Sequence, residues 1–207
     1  MIRKSDPAWP WMAGAFGGAL LLAVIVLVTE GTGFESLKLG LRVTARWSFL
    51  FFWLSYVGGA MAALFGPAFN GLARRGRQLG LAFAAAHLVH VILIVWLGIV
   101  IGQIPLQGTI LWFFLVALFF AYLLMLLSFG AGVRLLGRLW RPLLFLGTTY
   151  ILIAFGRDFV LGALGEKIQN GRYAVQYVPF AILTVMAVLL RFAAFLQHLF
   201  PLRSATT

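Results

Sequence analysis

The chain has 207 residues, 63% of them hydrophobic and only 10% charged, with a formal net charge of +11. Soluble domains run nearer a quarter charged, so this composition indicates an integral membrane protein with nearly all of its length in or against the bilayer and no separate soluble domain. Cysteine is absent, which excludes disulfides, thiolate ligands and iron–sulfur clusters, and no glycine-rich nucleotide fingerprint occurs, so no FAD or NAD domain is expected in this chain. The basic balance does not argue for nucleic acid. Its arginines and lysines fall in short loops between apolar runs, where they act as topology signals and meet the headgroups of membrane lipid.

A membrane-crossing helix needs roughly 20 predominantly apolar residues. Six runs qualify, at 11–28, 49–65, 79–101, 109–127, 143–161 and 178–196. They predict an all-α membrane protein, a single transmembrane domain over residues 1–207 built as a six-transmembrane-helix bundle. Arg3 and Lys4 precede the first run as they would in a signal peptide. The run is too long for that, and no small-residue cleavage site follows Val28, so it reads as a true span.

Between the first two runs, residues 34–47 are amphipathic. Phe34, Leu37, Leu41 and Ala45 share one helical face, and Lys38, Arg42 and Arg46 another. A helix lying along the interface suits this pattern, and so does an ordered loop. The short connection 102–108 makes the third and fourth spans antiparallel neighbours. The connection 162–177 is polar and carries the turn signal Asn170-Gly171. Close helix approach is expected at the small-residue pairs Gly14 and Gly18, Gly58 and Ala62, Gly59 and Ala63, and Gly98 and Gly102.

Charge sets the orientation. Arg3, Lys4, Arg74, Arg75, Arg77, Arg134, Arg138, Arg141, Arg191 and Arg203 fall on one side, ten of the 16 basic residues. Lys38, Arg42, Arg46, Arg157, Lys167 and Arg172 fall on the other, offset by Glu30, Glu35, Asp158 and Glu166. The positive-inside rule then puts both termini in the cytoplasm, in a bacterial inner membrane.

The chemistry-bearing residues are few. His87 and His90 lie in the third run with no other ionisable residue between Gln78 and Gln103. Three residues apart, they share a helix face. At 1.5 Å per residue from Leu79 they sit ~12 Å and ~16 Å into the bilayer, beyond easy snorkelling. An imidazole there faces a packed interior, a water cavity or a metal. Two histidines on one side of one helix cannot clamp a porphyrin from both faces, so a haem iron bound here takes its other ligand from another helix, uses methionine, or stays five-coordinate. Met186 lies near the depth of His90, and His198 near the membrane surface. Arg191 shares a face with His198 and suits either snorkelling or an anionic partner such as a haem propionate. Acidic residues stand too far out to complete a zinc or di-iron site, and no Ser/His/Asp set can be assembled, so no catalytic residue is assigned. A proton or metal-ion pathway lined by the two imidazoles is a weaker reading, because buried carboxylates are absent.

The run Arg74-Arg75-Gly76-Arg77-Gln78-Leu79-Gly80-Leu81-Ala82-Phe83, followed by His90, resembles the third-helix pattern of the ferric reductase-like transmembrane domain superfamily. Within it, the segment is most similar to the haem-binding membrane subunits of periplasmic methionine sulfoxide reductase systems. Arg46-Trp47, Gly66-Pro67 and Leu136-Gly137-Arg138-Leu139-Trp140-Arg141 extend the likeness over about residues 46–155. The resemblance implies a six-helix bundle that binds haem b and moves electrons as the membrane subunit of an oxidoreductase, with a quinol or a redox partner protein as donor. It implies His90 as the iron ligand; His87 is the second choice, and His198 and Arg191 are further candidates for cofactor contact read from their own placement. Registered on Trp140, the family's two fifth-helix histidines fall at Leu144 and Arg157. The pattern therefore implies the fold and one ligand. A haem-free membrane scaffold or small transport protein that retains the bundle is the alternative.

Overall fold

The computed structural model describes residues 7–129, 131–165 and 174–200. Arg3, Lys4, Glu166, Lys167, the Asn170-Gly171 turn, Arg172 and Arg203 lie outside the described residues. The chain forms α1 (Trp9–Glu30), α2 (Phe34–Phe65), α3 (Asn70–Arg74), α4 (Gly76–Ile101), α5 (Gly108–Leu127), α6 (Ala131–Leu136), α7 (Trp140–Ala163) and α8 (Ala174–Leu199), with no strand among the described residues. Six helical stretches are long and apolar enough to cross a membrane: α1, α2, α4, α5, the stretch Gly132–Ala163 that takes in most of α6 and all of α7, and α8.

The largest departure from the sequence pattern is α2. Residues 34–47 neither lie apart as an interfacial helix nor form a loop; they run into the second span as one helix of 32 residues. At 1.5 Å per residue it is ~48 Å long, against roughly 30 Å of hydrocarbon. No glycine or proline interrupts the junction. Its polar side chains bond back to the helix itself, Thr44 Oγ1 to Gly40 O at 2.8 Å and Ser48 Oγ to Ala45 O at 2.9 Å. Leu37, Thr44 and Ser48 are fully buried, so this segment packs into the protein instead of floating on a surface. Elsewhere the helix ends follow the breakers. At the end of α4, Gly102 adopts φ +69 and Gln103 N–H reaches back to Gly98 O at 3.2 Å, a Schellman-type closure that needs a residue tolerant of the left-handed region.

The helices gather into two compact units, Met1–Phe52 with Arg77–Phe155, and Trp53–Gly76 with Gly156–Thr207. In the first, Ala15, Ala19 and Ala23 of α1 join Leu37 of α2 and Ala82, Ala86, Val89, Leu93 and Leu97 of α4 in one buried cluster. Lipid tails are as apolar as leucine, so close backbone approach and van der Waals contact hold such helices together, and small side chains permit it. The buried small-residue line is thus Ala15-Ala19-Ala23 instead of the expected Gly14 and Gly18. Gly18 receives the Trp47 indole, whose Nε1 donates to Ala15 O at 2.9 Å, while Gly14 has open space around it. Further along the unit, Tyr150 of α7 donates its hydroxyl to Phe113 O of α5 at 3.2 Å. A Cβ on Gly147 would stand 2.9 Å from Leu124 Cδ1, so α5 and α7 meet closely there.

In the second unit, Trp53 Nε1 donates to Leu183 O at 2.7 Å and Ser55 Oγ to Gly76 O at 2.8 Å. Gly58 packs on Leu72, Gly156 on Thr184 and Gly162 on Tyr177. Of the two small-residue pairs in the second span, only the one at Gly58 is used; a Cβ on Gly59 would meet nothing.

A test separates the two glycines of α1. A Cβ on Gly18 would fall 2.7 Å from Trp47 Cζ2, so Gly18→Ala overpacks the α1–α2 contact and costs about 1–3 kcal/mol. Gly14→Ala meets nothing and gains up to ~1 kcal/mol of helix propensity. Thermal unfolding of both variants in detergent, read against the wild type, should move in opposite directions.

Candidate functional site: a half-buried imidazole pair

α4 presents Phe83, His87 and His90 along one stripe, and the first unit surrounds them. The His87 and His90 ring centroids are 5.3 Å apart at an interplanar angle of 35°. Their neighbours come from three other helices: Leu41 and Thr44 of α2, Tyr122 of α5 and Phe155 of α7.

His90 is anchored at one end. Its Nδ1 lies 3.1 Å from Leu41 O and 3.2 Å from Thr44 Oγ1. A carbonyl only accepts, so Nδ1 carries the ring proton and donates it. Thr44 has already placed its own proton on Gly40 O at 2.8 Å, which leaves its oxygen free to accept from the imidazole. In the neutral ring Nε2 is then the bare nitrogen, and it has no hydrogen-bond partner among the described residues. A backbone carbonyl on Nδ1–H is the arrangement that fixes tautomer and ring direction in metal-ligating histidines.

His87 is enclosed instead of anchored. Phe83, Phe155 and Tyr122 stand with ring centroids 5.4 Å, 6.0 Å and 6.4 Å away. Behind them Phe49 and Phe52 pack on Phe155 at 5.2 Å and 6.0 Å, and Phe52 on Phe83 at 5.2 Å. His87 Nδ1 is buried with no hydrogen-bond partner, and so is the Tyr122 hydroxyl. Two buried polar atoms without partners in one aromatic box are a costly feature, about 1–3 kcal/mol for each unsatisfied group.

The other candidate residues are on α7 and α8. Arg191 belongs to the second unit, where its guanidinium stacks over the Tyr56 ring at 4.4 Å; that contact is a cation–π pair with a lipid-depth tyrosine. His198 is exposed in the last turn of α8, and Met186 on the same helix is 42% exposed. On α7, Leu144 is 38% exposed, and Arg157 pairs with Asp158 at 3.5 Å. Among the described residues no group of three or more His, Asp or Glu side chains could hold a metal ion. Of the residues present, His90 would hold a haem iron through Nε2 as a single protein ligand, with the His87 ring beside it. Thr44, the Leu41 carbonyl and Tyr122 are members of the site that sequence reading does not single out.

Removing the Tyr122 hydroxyl should stabilise the protein as purified without a ligand. Tyr122→Phe is expected to gain about 1 kcal/mol because an unsatisfied group leaves, while Tyr150→Phe, which deletes a made bond to Phe113 O, loses about 0.5–1.5 kcal/mol. Denaturation of both in the same detergent checks the sign of each. Compared with protein-family models, with curated proteins and with solved structures, the chain matches none.

Proposed function

We propose that the chain is a multi-pass protein of the bacterial cytoplasmic membrane, with both termini inside, whose first unit transfers electrons as a b-type cytochrome-like module. The excess of basic residues on one side supports the orientation. One observation carries the functional reading: His90 donates Nδ1–H to a backbone carbonyl and a threonine hydroxyl of α2, and so offers Nε2 as a lone pair at lipid depth. Haem b bound there supplies one-electron redox chemistry. The chain's own residues do the rest. Leu41 O and Thr44 fix the His90 ring, and Phe83, Phe155, Phe52 and Phe49 exclude water from the His87 side of the stripe. His87 Nδ1 and the Tyr122 hydroxyl stand as polar groups free to engage a ligand. His198 and Arg191 remain secondary candidates. Electrons enter from a membrane quinol or a redox partner protein, and the chain acts as the membrane subunit of an oxidoreductase, as the likeness to ferric reductase-like domains implies.

A second reading has its own support. Leu144 and Arg157 stand where the resembled family ligates iron, and rings at 5.4–6.4 Å pack tightly around His87. On that reading the bundle is a haem-free scaffold or a small transport protein.

The absorption spectrum separates the two. Protein purified from haem-replete cells should show a Soret band that shifts on reduction. The band should disappear in His90→Ala, weaken with ~10-fold poorer haem retention in Thr44→Val, and persist in Thr44→Ser. Colourless wild-type protein, or a band untouched by His90→Ala, overturns the assignment of His90.

A further inference from the structure

One end of the first unit combines guanidinium groups with bare leucines. Arg77, Arg138 and Arg141 are exposed there, together with Arg134 of α6. Arg77 Nε donates to Ser128 O at 2.9 Å, which ties the start of α4 to the C-cap of α5. Gly132 N–H bonds Phe129 O at 3.0 Å and turns the chain into the six residues of α6. Gly137, at φ +48, turns it again through Gly137–Leu139 into α7; that backbone region is open to glycine at little cost. Between the arginines, Leu135 is 84% exposed and Leu139 67%. Leu135 is the most exposed large apolar side chain among the described residues. No Asp or Glu occurs from residue 36 to residue 157, so no carboxylate of that stretch balances these charges.

We propose that this turn is a docking surface for an anionic phospholipid headgroup, with Arg77, Arg138 and Arg141 on its phosphate oxygens and Leu135 and Leu139 among its acyl chains. A short helical segment that alternates arginine with large apolar side chains belongs at the boundary between headgroup and acyl region. Guanidinium groups match phosphate oxygens in paired hydrogen bonds and lose less hydration than ammonium groups. Charge complementarity selects the occupant: an anionic lipid neutralises the cluster, and a zwitterionic lipid places its own cation beside it. Gly137 lets the segment fold back along the surface before α7 begins. The proposal is independent of haem.

The test uses the full chain in mixed micelles holding equal amounts of phosphatidylglycerol and phosphatidylcholine with the same acyl chains. Lipid retained on the protein is counted by native mass spectrometry. Wild-type protein should retain phosphatidylglycerol preferentially, and this measurement needs no variant. Arg138→Gln with Arg141→Gln should lower the preference roughly fivefold per residue replaced, and adding Arg77→Gln should lower it further. Equal retention of both lipids by the wild type overturns the proposal. So does an unchanged preference in a double variant that elutes like the wild type, and so does displacement of the bound lipid by millimolar inorganic phosphate, which would make the site one for a free anion.

Discussion

The hydrogen bond from His90 Nδ1–H to the Leu41 carbonyl joins α2 to α4 at lipid depth, and the site takes its form from it. In water an imidazole N–H has partners everywhere. In a bilayer it must find one within the protein or remain a standing cost. Leu41 O already lies within an α-helix, and it accepts the imidazole proton on its second lone pair at 3.1 Å. Thr44, one turn further along, sends its own proton back to Gly40 and turns its oxygen to the same nitrogen. A helix backbone and one hydroxyl thus select a tautomer without any charged residue. The ring's direction then follows from the packing of α2 on α4, which the alanines of α1 and α4 hold close.

That packing explains why α2 is one long helix. An interfacial helix would turn Leu37 and Leu41 to the acyl chains and leave Thr44 and Ser48 without a role. In the bundle the same stripe carries Leu37, Gly40, Thr44 and Ser48 inward, where a glycine at position 40 lets Leu93 of α4 approach. The basic residues Lys38 and Arg42 lie on other faces, Lys38 paired with Glu35 at 3.1 Å and Arg42 Nε on Lys38 O at 3.2 Å. The amphipathic pattern was real, but its apolar face meets protein instead of lipid. Periodicity alone cannot separate those two environments, because both are apolar.

The six spans were legible because length and hydropathy determine them, and every run read from the sequence lies inside an observed helix. Helix stops were legible too, at Gly66-Pro67 and Gly102, since breakers act locally. The packing partners were not. Gly14 and Gly59 have the same spacing signals as Gly18 and Gly58, yet face open space; spacing says where approach is permitted, and only the neighbouring helix decides where it occurs. His87 and His90 were conspicuous as ionisable residues in an apolar run. Thr44, Tyr122 and Phe155 were not, because their part in the site comes from being gathered around α4 from three helices, at sequence separations that no local pattern encodes.

The two histidines end up in opposite conditions although they share a face. His90 has its proton satisfied and one nitrogen bare; His87 has a buried nitrogen and beside it a tyrosine hydroxyl, both without partners. At about 1–3 kcal/mol for each unsatisfied group, the His87–Tyr122 corner would cost a sizeable part of the 5–15 kcal/mol that separates folded from unfolded chains. Phenylalanine at both positions would fill the same aromatic box at less cost, so stability alone does not account for this choice of residues. On the function proposed above, a polar or metal-bearing ligand bound on the α4 stripe would supply the missing partners and return the cost on binding.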